Sequence, residues 1–179
     1  MIERTITDIS HNKFMVLLKN GKPIQVWTGS TNYTDGGIFG QSNVGHVVRD
    51  PKVAKKYYDY WKKLSTDPKK KSAKGDPPDL GMQNWTVKQQ PVLKGPPPAN
   101  SITPVFSPRL RPGKGKKDML DWYAEQLDGA KHSVFLTSAF SVAKQFLAIC
   151  GDVKKVNGKL YTGMPYLRYL LLEGKGGLL

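Results

Sequence analysis

Phe14-Met15-Val16-Leu17-Leu18-Lys19-Asn20-Gly21-Lys22-Pro23-Ile24-Gln25-Val26-Trp27-Thr28 is the stretch on which the fold turns. Two apolar or β-branched runs flank Asn20-Gly21, the dipeptide that best tolerates the positive φ angles of a two-residue hairpin turn. If those two residues form the turn, Lys19 pairs with Lys22 and the register runs back from there. His11 then lies opposite Ser30, Lys13 opposite Thr28, and Ile9 opposite Asn32. Directly opposed residues share a face of the pleat, with Cβ atoms about 4.5–5.5 Å apart. One face is therefore expected to present His11, Lys13, Ser30 and Asn32, and the other to carry Phe14, Val16 and Trp27 as core. Pro23 fits this register, because its missing donor points away from the hairpin partner.

Outward from the hairpin, Val44 to Val48 reads as a third strand. Asp50-Pro51 supplies an N-cap and a proline at the first helical position, and Val53, Tyr57, Tyr60, Trp61 and Leu64 follow at helical spacing. A helix over Pro51–Leu64 results, with Lys52, Lys55, Lys56, Lys62 and Lys63 on its other side. Tyr57, Tyr58, Tyr60 and Trp61 read as core rather than as a stacking platform.

At Ser65 the texture changes. Lys69, Lys70, Lys71 and Lys74 precede Pro77-Pro78, Pro96-Pro97-Pro98, Pro104, Pro108 and Pro112, which predicts an irregular connection with one short strand at Trp85–Val87. Periodicity resumes near Lys117. Leu120, Tyr123, Ala124 and Leu127 form a helical stripe, Val134 to Thr137 a strand, and Val142, Phe146 and Ile149 another helix. Leu167 to Leu172 has the length of a buried strand. The class is α/β, a mixed β-sheet flanked by helices.

The chain of 179 residues carries 28 Lys and Arg against 14 Asp and Glu, a formal net charge of +14. Such a surface suits a polyanion or is simply solvated, and charge alone does not choose. Its one cysteine, Cys150, rules out an internal disulfide and reads as a small buried hydrophobe. No stretch approaches the roughly 18 apolar residues of a membrane span, and Met1 to Asp8 is too short and polar for a secretory signal. A cytoplasmic location is the expectation.

The imidazole, ammonium, hydroxyl and carboxamide of His11, Lys13, Ser30 and Asn32 make a good phosphate site if they converge. Lysine supplies charge and three donors, serine and asparagine supply neutral donors, and histidine serves as nucleophile or acid–base group. Here a resemblance becomes specific. His11-Asn12-Lys13, an apolar run, then Trp27-Thr28-Gly29-Ser30-Thr31-Asn32-Tyr33-Thr34 resembles the HxK…GSxN signature of the phospholipase D superfamily, and Gln41-Ser42-Asn43 with the strand and basic helix after it matches the family's continuation. Val105-Phe106-Ser107-Pro108-Arg109, Met119-Leu120-Asp121-Trp122-Tyr123 and Thr137-Ser138-Ala139-Phe140 are similar to the opening of the family's second half.

The resemblance implies a phospholipase-D-like α-β-α sandwich. It also implies a metal- and cofactor-free phosphodiesterase acting on phospholipid or nucleic acid through a phosphohistidine. Family members face two such motifs across a pseudo-twofold axis: one histidine attacks phosphorus and the other protonates the leaving group. His11 would be nucleophile or acid partner, Lys13 and Asn32 would bind phosphate oxygens, and Ser30 would support them. The family's aspartate seven residues after the histidine is Leu18 here, a nearby acidic position is Asn43, and neither His46 nor His132 has a lysine two residues later. The chain then reads as truncated at both ends. Residues 1–65 would be the end of a first half, 66–104 a basic, Pro-rich linker, and 105–179 the start of a second half. A homodimer would pair two His11 residues. The alternative is a non-catalytic basic module that holds nucleic acid or an anionic surface.

Overall fold

A computed structural model describes residues 11–66, 80–138, 142–150, 155–156, 159–160 and 167–172, the last three stretches and positions 80 and 150 as backbone. Ile9, the lysine run from Lys69 to Lys74, Ala139-Phe140 and the Cys150 side chain lie outside this description. The chain divides into two compact units: residues 1–91 with 97–110, and residues 92–96 with 111–179.

In the first unit, β1 (Phe14–Lys19), β2 (Lys22–Gly29) and β3 (Gly45–Val48) form an antiparallel sheet in the order β1-β2-β3. The turn is as read from sequence, with Asn20 at φ 51° and Gly21 at φ 72°. Lys19 pairs with Lys22 and Leu18 with Pro23. There the expected register ends. A bulge falls between Leu17 and Leu18, so Leu17 pairs with Gln25, Val16 with Val26, Met15 with Trp27 and Phe14 with Thr28. Ile24 is the extra residue on β2. The irregularity follows Pro23 directly, at a kind of position where a residue unable to donate to the ladder is tolerated.

A shift of one residue exchanges faces. Phe14 and Val16 now share their face with Val26 and Thr28, while Trp27 moves to the opposite face beside Met15 and Val47. The expectation that Trp27 lies in the core with Phe14 and Val16 is thus corrected.

α1 (Pro51–Ser65) packs on the Phe14 face. Asp50 caps it, its Oδ1 accepting from Lys52 N at 2.7 Å and Val53 N at 3.1 Å. Val53, Ala54, Tyr60 and Leu64 are buried. Tyr60 centres the core: its ring stacks on Phe106 at 4.5 Å, and its hydroxyl donates to Ser107 O at 2.5 Å. Phe14 meets Tyr57 edge-on at 5.3 Å. The expected strand at Trp85–Val87 is instead part of a helix, α2 (Leu80–Gln89). Met82 and Thr86, one turn apart, are buried, and Trp85 and Met82 pack with Tyr60 and Leu64. Burial against Tyr60 overrides the strand propensity of Trp-Thr-Val.

The second unit contains α3 (Met119–Asp128), β4 (Ser133–Ser138), α4 (Lys144–Cys150), the two-residue strands β5 (Lys155–Val156) and β6 (Lys159–Leu160), and β7 (Leu167–Leu172). A capping box opens α3: Asp121 N donates to Asp118 Oδ1 and Asp118 N to Asp121 Oδ2, each at 3.0 Å. Its buried residues are Met119, Trp122 and Ala124, whereas Leu120 and Tyr123 of the expected stripe are exposed. The indole N–H of Trp122, donating to Gly95 O at 2.8 Å, fixes the rotation of the helix. Ala124 packs with Ala148 and Ile149 of α4. β4 and β7 pair in parallel, Val134 opposite Arg168 and Leu136 opposite Leu170. The protein is therefore mixed α/β: a three-stranded antiparallel sheet packed against helices, with additional helices. Among the described residues no helix is long and apolar enough to cross a membrane.

Candidate functional site

The entry to β1 decides where His11 and Lys13 point. The Asn12 carboxamide lies 3.3 Å from the Tyr60 hydroxyl, so its side chain turns toward α1. Alternation then sends His11 and Lys13 to the other face, the one carrying Met15, Trp27 and Val47. Lys13 is half-buried, and its ammonium donates to the carbonyl of His11 at 3.1 Å, while His11 itself is exposed.

Gly29 N donates to Lys13 O at 3.3 Å, so Lys13 lies opposite Gly29 and not opposite Thr28. The partner assignments of His11 with Ser30 and of Lys13 with Thr28 are corrected by the bulge, and with them the expectation of one shared face, since continuing the register puts Ser30 opposite Asn12 and not on the face of His11 and Lys13. What remains is that the histidine–lysine pair and the Gly29–Asn32 turn lie at the same end of the hairpin.

Gly29 admits that geometry. A Cβ there would fall 2.2 Å from the Val44 carbonyl oxygen. That close approach lets Ser30 clasp the start of β3: Ser30 N donates to Val44 O at 3.0 Å, and Ser30 Oγ accepts from Val44 N at 3.1 Å. Ser30 thus ties the two ends of the 30–44 loop, and only its hydroxyl proton is left to offer a ligand. Asn32 is exposed at the start of the same loop. A Cβ on Gly37 would sit 2.3 Å from the Asn32 carbonyl, so the loop closes on itself at this point.

The loop has its own scaffold. Gly37 N donates to Thr34 Oγ1 at 3.1 Å, and Asn43 Nδ2 donates to Gly37 O at 3.0 Å. Asn43, at the position the resemblance gives to an acid, here acts as a loop brace. Leu18 pairs near the hairpin turn, four residues along β1 from its start. His46 pairs with Thr28 and so belongs to the α1 side, not to the face of His11 and Lys13.

Two aromatic residues complete the wall, and sequence reasoning missed both. Trp27 and Tyr33 approach at 5.2 Å between ring centroids. Burial raises the Tyr33 phenol above its ordinary pKa, although the residue remains 54% exposed. The signal for Trp27 was the Pro23 bulge; Tyr33 had none beyond following Asn32. Taken together, the arrangement offers an imidazole and an ammonium on an open face, beside a braced loop that carries a carboxamide and a hydroxyl.

A cavity of about 160 Å³ lies elsewhere in the first unit, lined by Lys56, Asp59, Trp85, Gln89, Gln90, Pro104 and Phe106. Its polar groups are largely engaged. Gln90 Nε2 donates to Pro104 O at 2.7 Å, and Asp59 is held by Lys55 and Lys62. Among the described residues no group of three or more His, Cys, Asp or Glu is placed to hold a metal ion. No family model, no curated protein and no solved structure matches the chain.

Proposed function

We propose that the chain is a phospholipase-D-type phosphodiesterase built around His11, Lys13 and Asn32, in a phospholipase-D-like α-β-α sandwich. One observation carries the reading. The Gly29 N–H to Lys13 C=O bond holds the His-x-Lys segment against the Gly-Ser-Thr-Asn turn, which keeps the two halves of the motif at one end of the hairpin.

In this reading an imidazole nitrogen of His11 attacks phosphorus. The N–P bond forms as the P–O ester bond breaks, and the departing oxygen takes a proton from a second imidazole. Water then attacks phosphorus and gives a proton to the second imidazole, the N–P bond breaks back to His11 and a phosphomonoester leaves. Lys13 and Asn32 stabilise the charge that gathers on the phosphoryl oxygens. The second imidazole comes from His11 of another copy. The exposed apolar side chains Met15, Leu17 and Val47 on the same face favour such a pairing.

The test is hydrolysis of a chromogenic phosphate diester in the presence of chelator, beside His11→Ala. Turnover is expected to survive the chelator and to fall roughly 10²–10⁴-fold in the variant. Equal turnover by the variant would overturn the assignment.

A further inference from the structure

Every residue that lines the cavity of about 160 Å³ belongs to the first unit. α1 presents Lys56 and Asp59 to it, three positions apart, and α2 presents Trp85 and Gln89, four apart. Each pair therefore shares a face of its helix. Pro104 and Phe106 close the remaining side. Tyr58 and Trp61 lie on the other flank of α1, with rings parallel to within 4° at 6.2 Å. Trp61 is 45% exposed, which corrects the expectation that all four aromatics of α1 are core.

The walls of the cavity are held before any ligand arrives. Phe106 stacks on Tyr60 at 4.5 Å, and Trp85 lies 6.1 Å from the same ring, so one buried side chain sets both. Gln90 is fixed at two points: its Nε2 donates to Pro104 O at 2.7 Å, and its carbonyl accepts from Arg109 Nη2 at 2.5 Å. A preformed cleft with apolar walls and a few polar groups is the usual form of a small-molecule site.

Two of its polar groups are uncommitted. Among the described residues the Lys56 ammonium and the Gln89 carboxamide have no hydrogen bond or ion pair, and both residues are exposed. Asp59 is not a third, because it bridges Lys55 at 2.5 Å and Lys62 at 3.1 Å. Desolvation pushes its pKa up, but hydrogen bonds from those two lysines outweigh this and hold it below the usual value. Three lysines against one saturated carboxylate leave the mouth positive, which favours an anionic ligand.

Size and polarity narrow the ligand further. An apolar-walled cavity of about 150 Å³ takes one benzene-sized ring. A carboxamide sets a donor beside an acceptor, the pattern that matches the polar edge of a nucleobase. We propose that this cavity binds a pyrimidine nucleoside monophosphate, with the base against Trp85 and Phe106, its polar edge on Gln89 and its phosphate on Lys56. The binding does not rest on chemistry at His11, since a monophosphate has no diester bond to cleave.

The test is isothermal titration calorimetry of the full chain with uridine monophosphate, beside uridine, adenosine monophosphate and benzoate. Saturable binding of one uridine monophosphate per chain is expected. Lys56→Ala should weaken it about tenfold and leave uridine unchanged, while Gln89→Ala should weaken both about fivefold and leave benzoate unchanged. Lys52→Ala removes a lysine of α1 that does not line the cavity and should change nothing. Both lining side chains are exposed, and circular dichroism checks that each variant is folded.

The proposal is overturned if uridine monophosphate shows no saturable binding, or if Lys52→Ala weakens it as much as Lys56→Ala does. It is also overturned if adenosine monophosphate binds as tightly, or if Gln89→Ala has no effect. A chain that binds uridine monophosphate in this way but cleaves no diester would sink the phosphodiesterase reading and leave this one standing.

Discussion

The two faces of the β1-β2-β3 sheet differ in what their side chains do. Phe14, Val16 and Val26 turn toward α1, where Val26 and Tyr60 are almost wholly removed from water. On the other face Met15, Leu17 and Val47 are more than half exposed, and His11 and Lys13 share that side. The first face carries the stability of the unit. The second leaves the His11 imidazole in contact with solvent, beside a loop braced by its own hydrogen bonds. A sheet of three strands is enough for this division, since one packed face suffices to hold the register.

Substitutions can break that contrast. Tyr60→Ala should have the largest effect, a loss of about 3–5 kcal/mol, since it removes a stacked ring and a hydroxyl that joins Asn12 to Ser107. Urea unfolding followed by tryptophan fluorescence measures it. A loss under about 1 kcal/mol would mean that the α1 side is not the core.

Gly29→Ala comes next, at about 1–3 kcal/mol, because the added carbon meets the Val44 carbonyl at 2.2 Å. It should also loosen the Ser30 clasp, so diester turnover is expected to fall together with stability. Unchanged turnover would separate the loop from the site.

Leu17→Ala should cost least, within about 0.5 kcal/mol, because the side chain is 52% exposed. The same measurement at rising protein concentration sharpens the comparison. A cost that grows with concentration would show that a second copy covers this face.

Much of the fold was legible because its causes are local. Asn20 and Gly21 accept positive φ, and Asp50 and Pro51 start α1, each through atoms within a few residues. β7 was legible as a run of strand length that is apolar but for Arg168, although its parallel pairing with β4 was not. α2 was hidden because its buried stripe includes Thr86, a polar residue, and because Trp-Thr-Val favours a strand. For the site, the motif residues could be read directly, while their partners could not. One residue, Ile24, stands between the expected facing of Lys13 on Thr28 and the observed facing on Gly29.

By itself the amino-acid sequence determined the turn and the start of α1, because steric preference and capping act over a few bonds. Only the tertiary structure decided which face each strand residue occupies, that Ser30 serves as a clasp, and that Tyr58 and Trp61 turn outward while Tyr57 and Tyr60 turn in. Those outcomes depend on which surfaces Tyr60 and the bulge after Pro23 bring together. Packing between distant segments sets them, and no local preference does.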